Sequence, residues 1–346
     1  MPNFRKMLDR LLDSYLPKFP PFAPDLNEKL ALCQRYGDFS LAYSTAVQPD
    51  LHYFGDADGY IAYATKMGHT FVLGDPVAAP ERREDYIRRF VALAGGACFV
   101  QIGTDTARVL ATLGYKINQM GVDTTLPLDA NSFAGKRNET VRYSEKWLLK
   151  KDYRLLECDG SVAAAEQVQA ISNNWRSGRI VKRREMRFLN RPFELELAPH
   201  MRRFIVVDPG GQPVALLDFD PIFRDGTAVG YTTAFKRKLT GTTPHAEVGL
   251  TKYAADRFRE EGRSHVTFGL SPLAAVEPSG YAESRIWRNC LQRAFRSKQV
   301  NARIFNLQGQ AAFKRRFHGQ EEPTYIAFRR GSPFKVWALL RLLKTL

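Results

Sequence analysis

The chain has 346 residues, enough for two domains with their own cores, and its 44% hydrophobic content argues for a folded protein. A net charge of +15 and a pI near 9.7 favour a polyanionic partner, nucleic acid or an anionic membrane surface. Cys33, Cys98, Cys158 and Cys290 lie far apart, as do the histidines, so neither a metal site nor a disulfide framework is expected. The sequence opens without a signal-peptide pattern, and no uncharged run reaches the roughly 18 residues that span a bilayer. A cytoplasmic protein is expected, soluble or peripheral to the inner face of the membrane.

Residues 4–16 carry one apolar stripe, from Phe4 and Met7 to Leu12 and Leu16, that predicts a surface helix docked on the protein or lying on a membrane. A proline-rich linker over 17–24 follows, so residues 1–24 read as an appendage to a first domain over 25–155. In that domain 27–36 reads as a helix and Phe39 to Ala46 as a strand. Gly59–Tyr63 and Thr70–Leu73 flank Met67-Gly68-His69 as a hairpin, and Gly74-Asp75-Pro76 then stops the second strand in a sharp corner. A helix over 84–93, a strand over 97–102, a helix over 105–113 with a glycine cap at Gly114, and a strand over 122–126 complete the cycle. Lys136 opens a basic helix that runs to Lys151.

A second cycle over 156–331 starts with the strand 153–158 and the helix 163–175. Between Arg176 and Arg187 lie Arg179, Lys182, Arg183 and Arg184, a segment suited to phosphate contacts or to a loop. A hairpin over 204–219 turns at Pro-Gly-Gly, and 229–233 is a further strand. Helices over 245–260 and 285–296 bracket a buried-type strand at 266–270, and the strand 324–328 is expected to close this domain. Residues 332–346 form a terminal helix with the stripe Val336, Leu339, Leu340 and Leu343 beside Trp337. It suits either an anionic lipid surface or the core. Mixed strands and helices in this order give an α/β (α+β) class, each half a mixed sheet covered by helices.

Five segments in order resemble the cytosolic catalytic domain of the phosphatidylglycerol lysyl- and alanyltransferases, the multiple peptide resistance factor family. They are Gly74-Asp75-Pro76; Gly135-Lys136-Arg137 with Arg142; Ile171 to Trp175 with Glu185 and Phe188; Phe268 to Leu273 around Ser271; and Phe313 to Phe317 before Tyr325. The likeness covers roughly 35–330 and implies tandem GNAT-like acyltransferase folds. It also implies an aminoacyl group taken from aminoacyl-tRNA and placed on a lipid hydroxyl, with no cofactor and no metal. The expected partners are aminoacyl-tRNA and an anionic phospholipid membrane surface.

By the same resemblance Glu247 is the candidate base, and Arg237 and Lys314 are the cations for the developing oxyanion. Gly74, Asp75, Lys136, Arg137, Arg142, Trp175, Glu185 and Ser271 are the candidate substrate-binding residues. Lys136, Arg137 and Arg142 would suit the tRNA backbone or the lipid headgroup.

Ala234-Phe235-Lys236-Arg237 stands where the family has Asp-Leu-Met-Arg, keeping the arginine and losing the aspartate. His318-Gly319 replaces a proline-containing turn. The family's multi-span membrane half is not represented, so lipid flipping is not expected of this sequence. A GNAT-type transferase with a soluble acceptor and a degenerate lipid- or RNA-binding homologue are the alternatives. An acyl-CoA donor is disfavoured, because no glycine-rich pyrophosphate loop is found.

Overall fold

The computed structural model describes residues 19–158, 163–178, 187–329, 331 and 333–344. The expected helix over 4–16, Glu185 and the basic run from Arg179 to Arg184 lie outside them.

Helix α1 (Leu26–Tyr36) starts at Asp25, whose carboxylate and the Glu28 side chain each accept the other's backbone N–H, so two orphan donors are satisfied at once. The segment expected as a strand from Phe39 instead becomes helix α2 (Ala42–Val47). All but its last residue are buried, so its apolar run has no exposed face to betray a period.

Strands β1 (His52–Asp56), β2 (Gly59–Lys66) and β3 (His69–Leu73) form an antiparallel meander. The β2–β3 turn places Met67 and Gly68 at φ 50° and 71°, the two left-handed positions of a tight hairpin. After β4 (Val77–Ala78) come α3 (Arg83–Ala94), β5 (Cys98–Ile102), α4 (Thr104–Thr112) and β6 (Lys116–Pro127).

The chain then forms α5 (Glu139–Lys150), β7 (Arg154–Glu157), α6 (Ala165–Ser177), β8 (Arg202–Val207), β9 (Pro213–Arg224) and β10 (Thr227–Lys238). It continues with α7 (His245–Glu260), β11 (His265–Pro272), α8 (Arg285–Arg296), α9 (Lys298–Arg303), α10 (Leu307–Arg315), β12 (Gln320–Phe328) and α11 (Pro333–Leu342).

Each half is a mixed sheet with helices on its faces, and the two sheets run together in the order β1-β2-β3-β5-β12-β6-β11-β10-β9-β8-β7. Each half repeats one device, antiparallel strands leading into a parallel pair: β3 with β5, and β10 with β11. This is the tandem GNAT-like arrangement. Strand β12 does not close the second half, as the sequence suggested. It inserts between β5 and β6 of the first, antiparallel to both.

Helix α5 packs against α7 of the second half. A methyl group on Gly249 would come within 2.6 Å of Leu148, so the two helix backbones need a residue without a side chain there. Helix α11 docks on the first half with Ala338 fully buried, and Lys335 Nζ donates to Gly96 O at 2.8 Å. Of its two expected settings, the terminal helix takes the core for that face.

Two arginine–aspartate pairs brace β9 from inside. Arg203 on β8 grips Asp218 through Nε and Nη2 at 2.7 and 2.8 Å, and Arg191 holds Asp220 at 2.8–3.0 Å. All four side chains are almost completely buried. Removing one partner strands the other charge, so Asp218→Ala should cost ~3–5 kcal/mol in chemical denaturation. The double replacement Arg203→Met/Asp218→Leu should recover most of that loss.

Candidate functional site

Strands β10 and β11 pair only from Gly230/His265 to Thr232/Thr267 and then separate. Beyond that point β10 stays with β9 as far as Lys238, and β11 stays with β6 as far as Pro272. The gap between them is a cleft of about 630 Å³. Its walls are Thr232 to Arg237, Phe268 to Leu270, the first turn of α7, and the stretch from Phe305 to Arg316 that holds α10. The first half contributes Ser40, Leu41, Ser44 and Gln101. Gln101 takes the left-handed conformation at φ 57°, uncommon for a residue with a side chain.

Glu247, Arg237, Lys314 and Trp175 all line this cleft, so four of the expected residues meet there. Lys314, near the end of α10, turns its ammonium inward and donates to Gly269 O and Leu270 O, both at 2.7 Å. Those carbonyls are available because the β11–β6 register slips between Thr267 and Leu270, with Gly269 at φ 67°. Burial pushes the Lys314 pKa down to about 7, against a smaller upward pull from Asp123. An amine of that kind is partly neutral at physiological pH. Its two N–H bonds are held by the carbonyls, and its lone pair is left to accept a proton.

Glu247 has a different character. Lys238 and Lys236 approach its two oxygens at 2.9 and 3.5 Å. Burial works to raise its pKa, but the two ammonium groups prevail and hold it below the usual carboxylate value. Glu247 is therefore a fixed anion that positions two lysines, and a weaker proton acceptor than Lys314. Burial also lowers the Lys236 pKa, and its ammonium sits 3.1 Å from the centre of the Phe313 ring.

Lys236 and Lys238 reach Glu247 together because residues two apart share one face of a strand. Sequence reading missed both lysines, although that spacing was there to see. Arg237, between them, turns to the other face. Its guanidinium donates to Ser172 and lies 3.8 Å from the Phe193 ring centre and 4.8 Å from that of Trp175.

The other candidates sit elsewhere. Buried Gly74 and half-buried Asp75 form a brace. Gly74 N–H donates to Val100 O at 2.9 Å, and the Asp75 carboxylate accepts Gly103 N–H at 3.0 Å beside the start of α4. Ser271 is buried in the β11–β6 ladder. Arg142 donates to Phe133 O and Gly135 O at 2.6 and 2.5 Å, which ties down the loop before α5. Lys136 and Arg137 are exposed in the short turn at the start of α5. None of these six lines the cleft.

Both carboxylates of the described lining are already paired, Asp220 with Arg191 and Glu247 with the two lysines. With Lys236, Arg237, Lys314 and Arg316 also present, the cleft suits phosphate and developing negative charge. Among the described residues no group of three or more His, Cys, Asp or Glu could hold a metal ion.

A family model described as "Phosphatidylglycerol lysyltransferase, C-terminal" matches residues 30–328. The chain belongs to that family. A relative named phosphatidylglycerol lysyltransferase, from Staphylococcus epidermidis, is 20% identical across 97% of this chain and 39% of its own length. The chain thus spans about two-fifths of the curated relatives it matches. Two solved structures share the fold at a TM-score of 0.74. L-PGS from Bacillus licheniformis is 19% identical, with 92% of this chain and 97% of that one covered. The C-terminal domain of a putative lysylphosphatidylglycerol synthetase from Agrobacterium fabrum is 20% identical, with 92% and 95% covered. FemX, at 10% identity and a TM-score of 0.54, covers 92% of this chain and 99% of its own.

The Lys314 pKa of about 7 lies below its ordinary 10.5, so between those values the unfolded chain holds the extra proton. Folding stability is therefore expected to rise with pH across that window. The gain should be up to ~1.4 kcal/mol per pH unit steeper in the natural protein than in Lys314→Met, read by urea denaturation at several pH values.

Proposed function

We propose that this domain moves an aminoacyl group from aminoacyl-tRNA to a hydroxyl of phosphatidylglycerol. The observation that carries the reading is Lys314, an amine turned onto two backbone carbonyls among cations in a cleft between parted strands, where burial lowers its pKa. Family membership supplies the substrate class.

An aminoacyl ester is already activated, so the protein has to position, deprotonate and steady charge. The acceptor hydroxyl approaches the ester carbonyl, and Lys314 takes its proton as the new C–O bond forms. The Lys236 ammonium, held by Glu247, faces the oxyanion of the tetrahedral intermediate. Collapse breaks the ester bond to the terminal ribose of the tRNA, and Lys314 returns the proton to the leaving oxygen. No cofactor enters the balance.

The paired carboxylates bear on the donor. A second ammonium on the transferred side chain would meet Lys236 and Arg316 with no unpaired carboxylate among the described lining residues. A neutral aminoacyl group is therefore favoured over lysyl.

The test is transfer by the purified protein from charged tRNA onto phosphatidylglycerol, followed by mass spectrometry of extracted lipid. An RNase-sensitive aminoacylated lipid is expected, formed faster from tRNA bearing a neutral amino acid than from lysyl-tRNA. The rate should rise with pH through about 7. Lys314→Arg, which keeps its proton, should slow it ~10²–10⁴-fold. Product on a soluble acceptor alone would replace the lipid reading, and full activity in Lys314→Arg would remove the proposed base.

A further inference from the structure

Helix α8 has no buried residue. Its inner side still docks. The Trp287 ring lies 5.8 Å from that of Phe328, Phe295 packs beside Val122, Ala274 and Ala311, and Gln292 donates to Val276 O at 2.8 Å. Its outer side carries Ile286, 78% exposed, and Cys290 one turn further on.

From Arg285 to Arg303 the chain has Arg285, Arg288, Arg293, Arg296, Lys298 and Arg303 and no Asp or Glu. Of these, Arg288 is paired with Glu283. Ile304, which follows the last residue of α9, is 48% exposed.

A second element adds apolar surface near the same edge. Gly331, just before α11, lies against α8: a methyl group there would sit 3.4 Å from Trp287 Nε1. Helix α11 opens with Phe334, 69% exposed, followed by Trp337, 38% exposed, with the Arg341 guanidinium 5.3 Å from its ring centre. One exposed isoleucine or phenylalanine is ordinary on a protein surface. Large apolar side chains gathered near one edge beside the cations of α8 and α9 are not.

We propose that the α8–α11 edge is the face on which this protein rests on an anionic lipid bilayer. Arg285, Arg293, Arg296 and Lys298 meet the lipid phosphates, while Ile286 and Phe334 enter the headgroup layer. Charge complementarity selects a polyanion, and the apolar residues decide which one. A nucleic acid offers phosphates but no apolar phase for Ile286, whereas a bilayer offers both.

The assignment rests on the lipid-acceptor reading for its purpose, and the fold links the two. Gln308 on α10 donates to Phe295 O of α8 at 3.0 Å, and α10 carries Lys314 and one wall of the cleft. Docking through α8 therefore seats the cleft wall directly on the element that touches lipid.

The protein carries its own probe site. Cys290 is exposed, whereas Cys33, Cys98 and Cys158 are buried. A polarity-sensitive fluorophore on Cys290 should shift to the blue with phosphatidylglycerol vesicles, but not with phosphatidylcholine vesicles or with tRNA. Each cation near the surface contributes about fivefold to partitioning, so added salt should weaken the response. Ile286→Asp/Arg293→Glu should raise the half-saturating lipid concentration at least tenfold. Its transfer onto short-chain, monomerically dispersed phosphatidylglycerol should stay unchanged, which also reports an intact fold.

Vesicle sedimentation without a fluorescence shift would put the docking face elsewhere and overturn the proposal. So would a shift with tRNA alone, which would make α8 a nucleic-acid surface. Loss of transfer onto both forms of the lipid, with the vesicle-induced shift intact, would remove the acceptor reading and leave the docking face standing.

Discussion

The arrangement depends on the parting of two parallel strands. A sheet that keeps its ladder satisfies its own backbone and leaves nothing for a substrate. Here β10 and β11 stop pairing after Thr232 and Thr267, and each is retained by its other neighbour. The register slip around Gly269 then presents two carbonyls to Lys314. One irregularity thus opens the space and fixes the amine, while burial lowers its proton affinity.

The surroundings keep that gap rigid. Buried Arg203–Asp218 and Arg191–Asp220 pairs brace β9, the strand that holds β10 on its far side. On the other flank β11 lies on β6, and β12 lies on β6 from the opposite edge. Helix α1 ties the halves together, since Gly37 O and Gln34 O accept N–H groups from Phe223 and Gly226 at the β9–β10 turn. A cleft with walls from both halves needs such ties, because a small displacement would separate the amine from the reacting bond.

Much of this fold was legible in the sequence. Helices α7 and α8 begin and end where their apolar spacing placed them, and the Met67-Gly68 hairpin follows from its turn residues. The parts that were not legible are those set by distant partners. The run from Phe39 reads as a strand because a short segment buried all round has no period to distinguish it. Strand β12 has ordinary strand character, and nothing local says that it crosses to the first half. Within the site, the structure brings the candidates Glu247, Arg237, Lys314 and Trp175 to one cleft. Gly74, Asp75, Lys136, Arg137, Arg142 and Ser271, named as substrate-binding candidates, lie outside its lining, where they brace the backbone, pair in the sheet or face solvent. A motif holds residues the fold needs as well as residues that touch a ligand, and only burial separates the two. The same limit applies to the base. Glu247 has the ordinary chemistry for that role, and the choice of Lys314 appears only when its ammonium is seen buried against two carbonyls.

The central claim is that Lys314 exchanges a proton near neutrality. The most direct measurement is an NMR titration of the lysine side chains in isotopically labelled protein, with Lys314 assigned by comparison with Lys314→Met. A midpoint close to 7 is predicted. A midpoint near 10.5 would mean that Lys314 stays fully charged in the cleft, and the proton would have to be carried by another group.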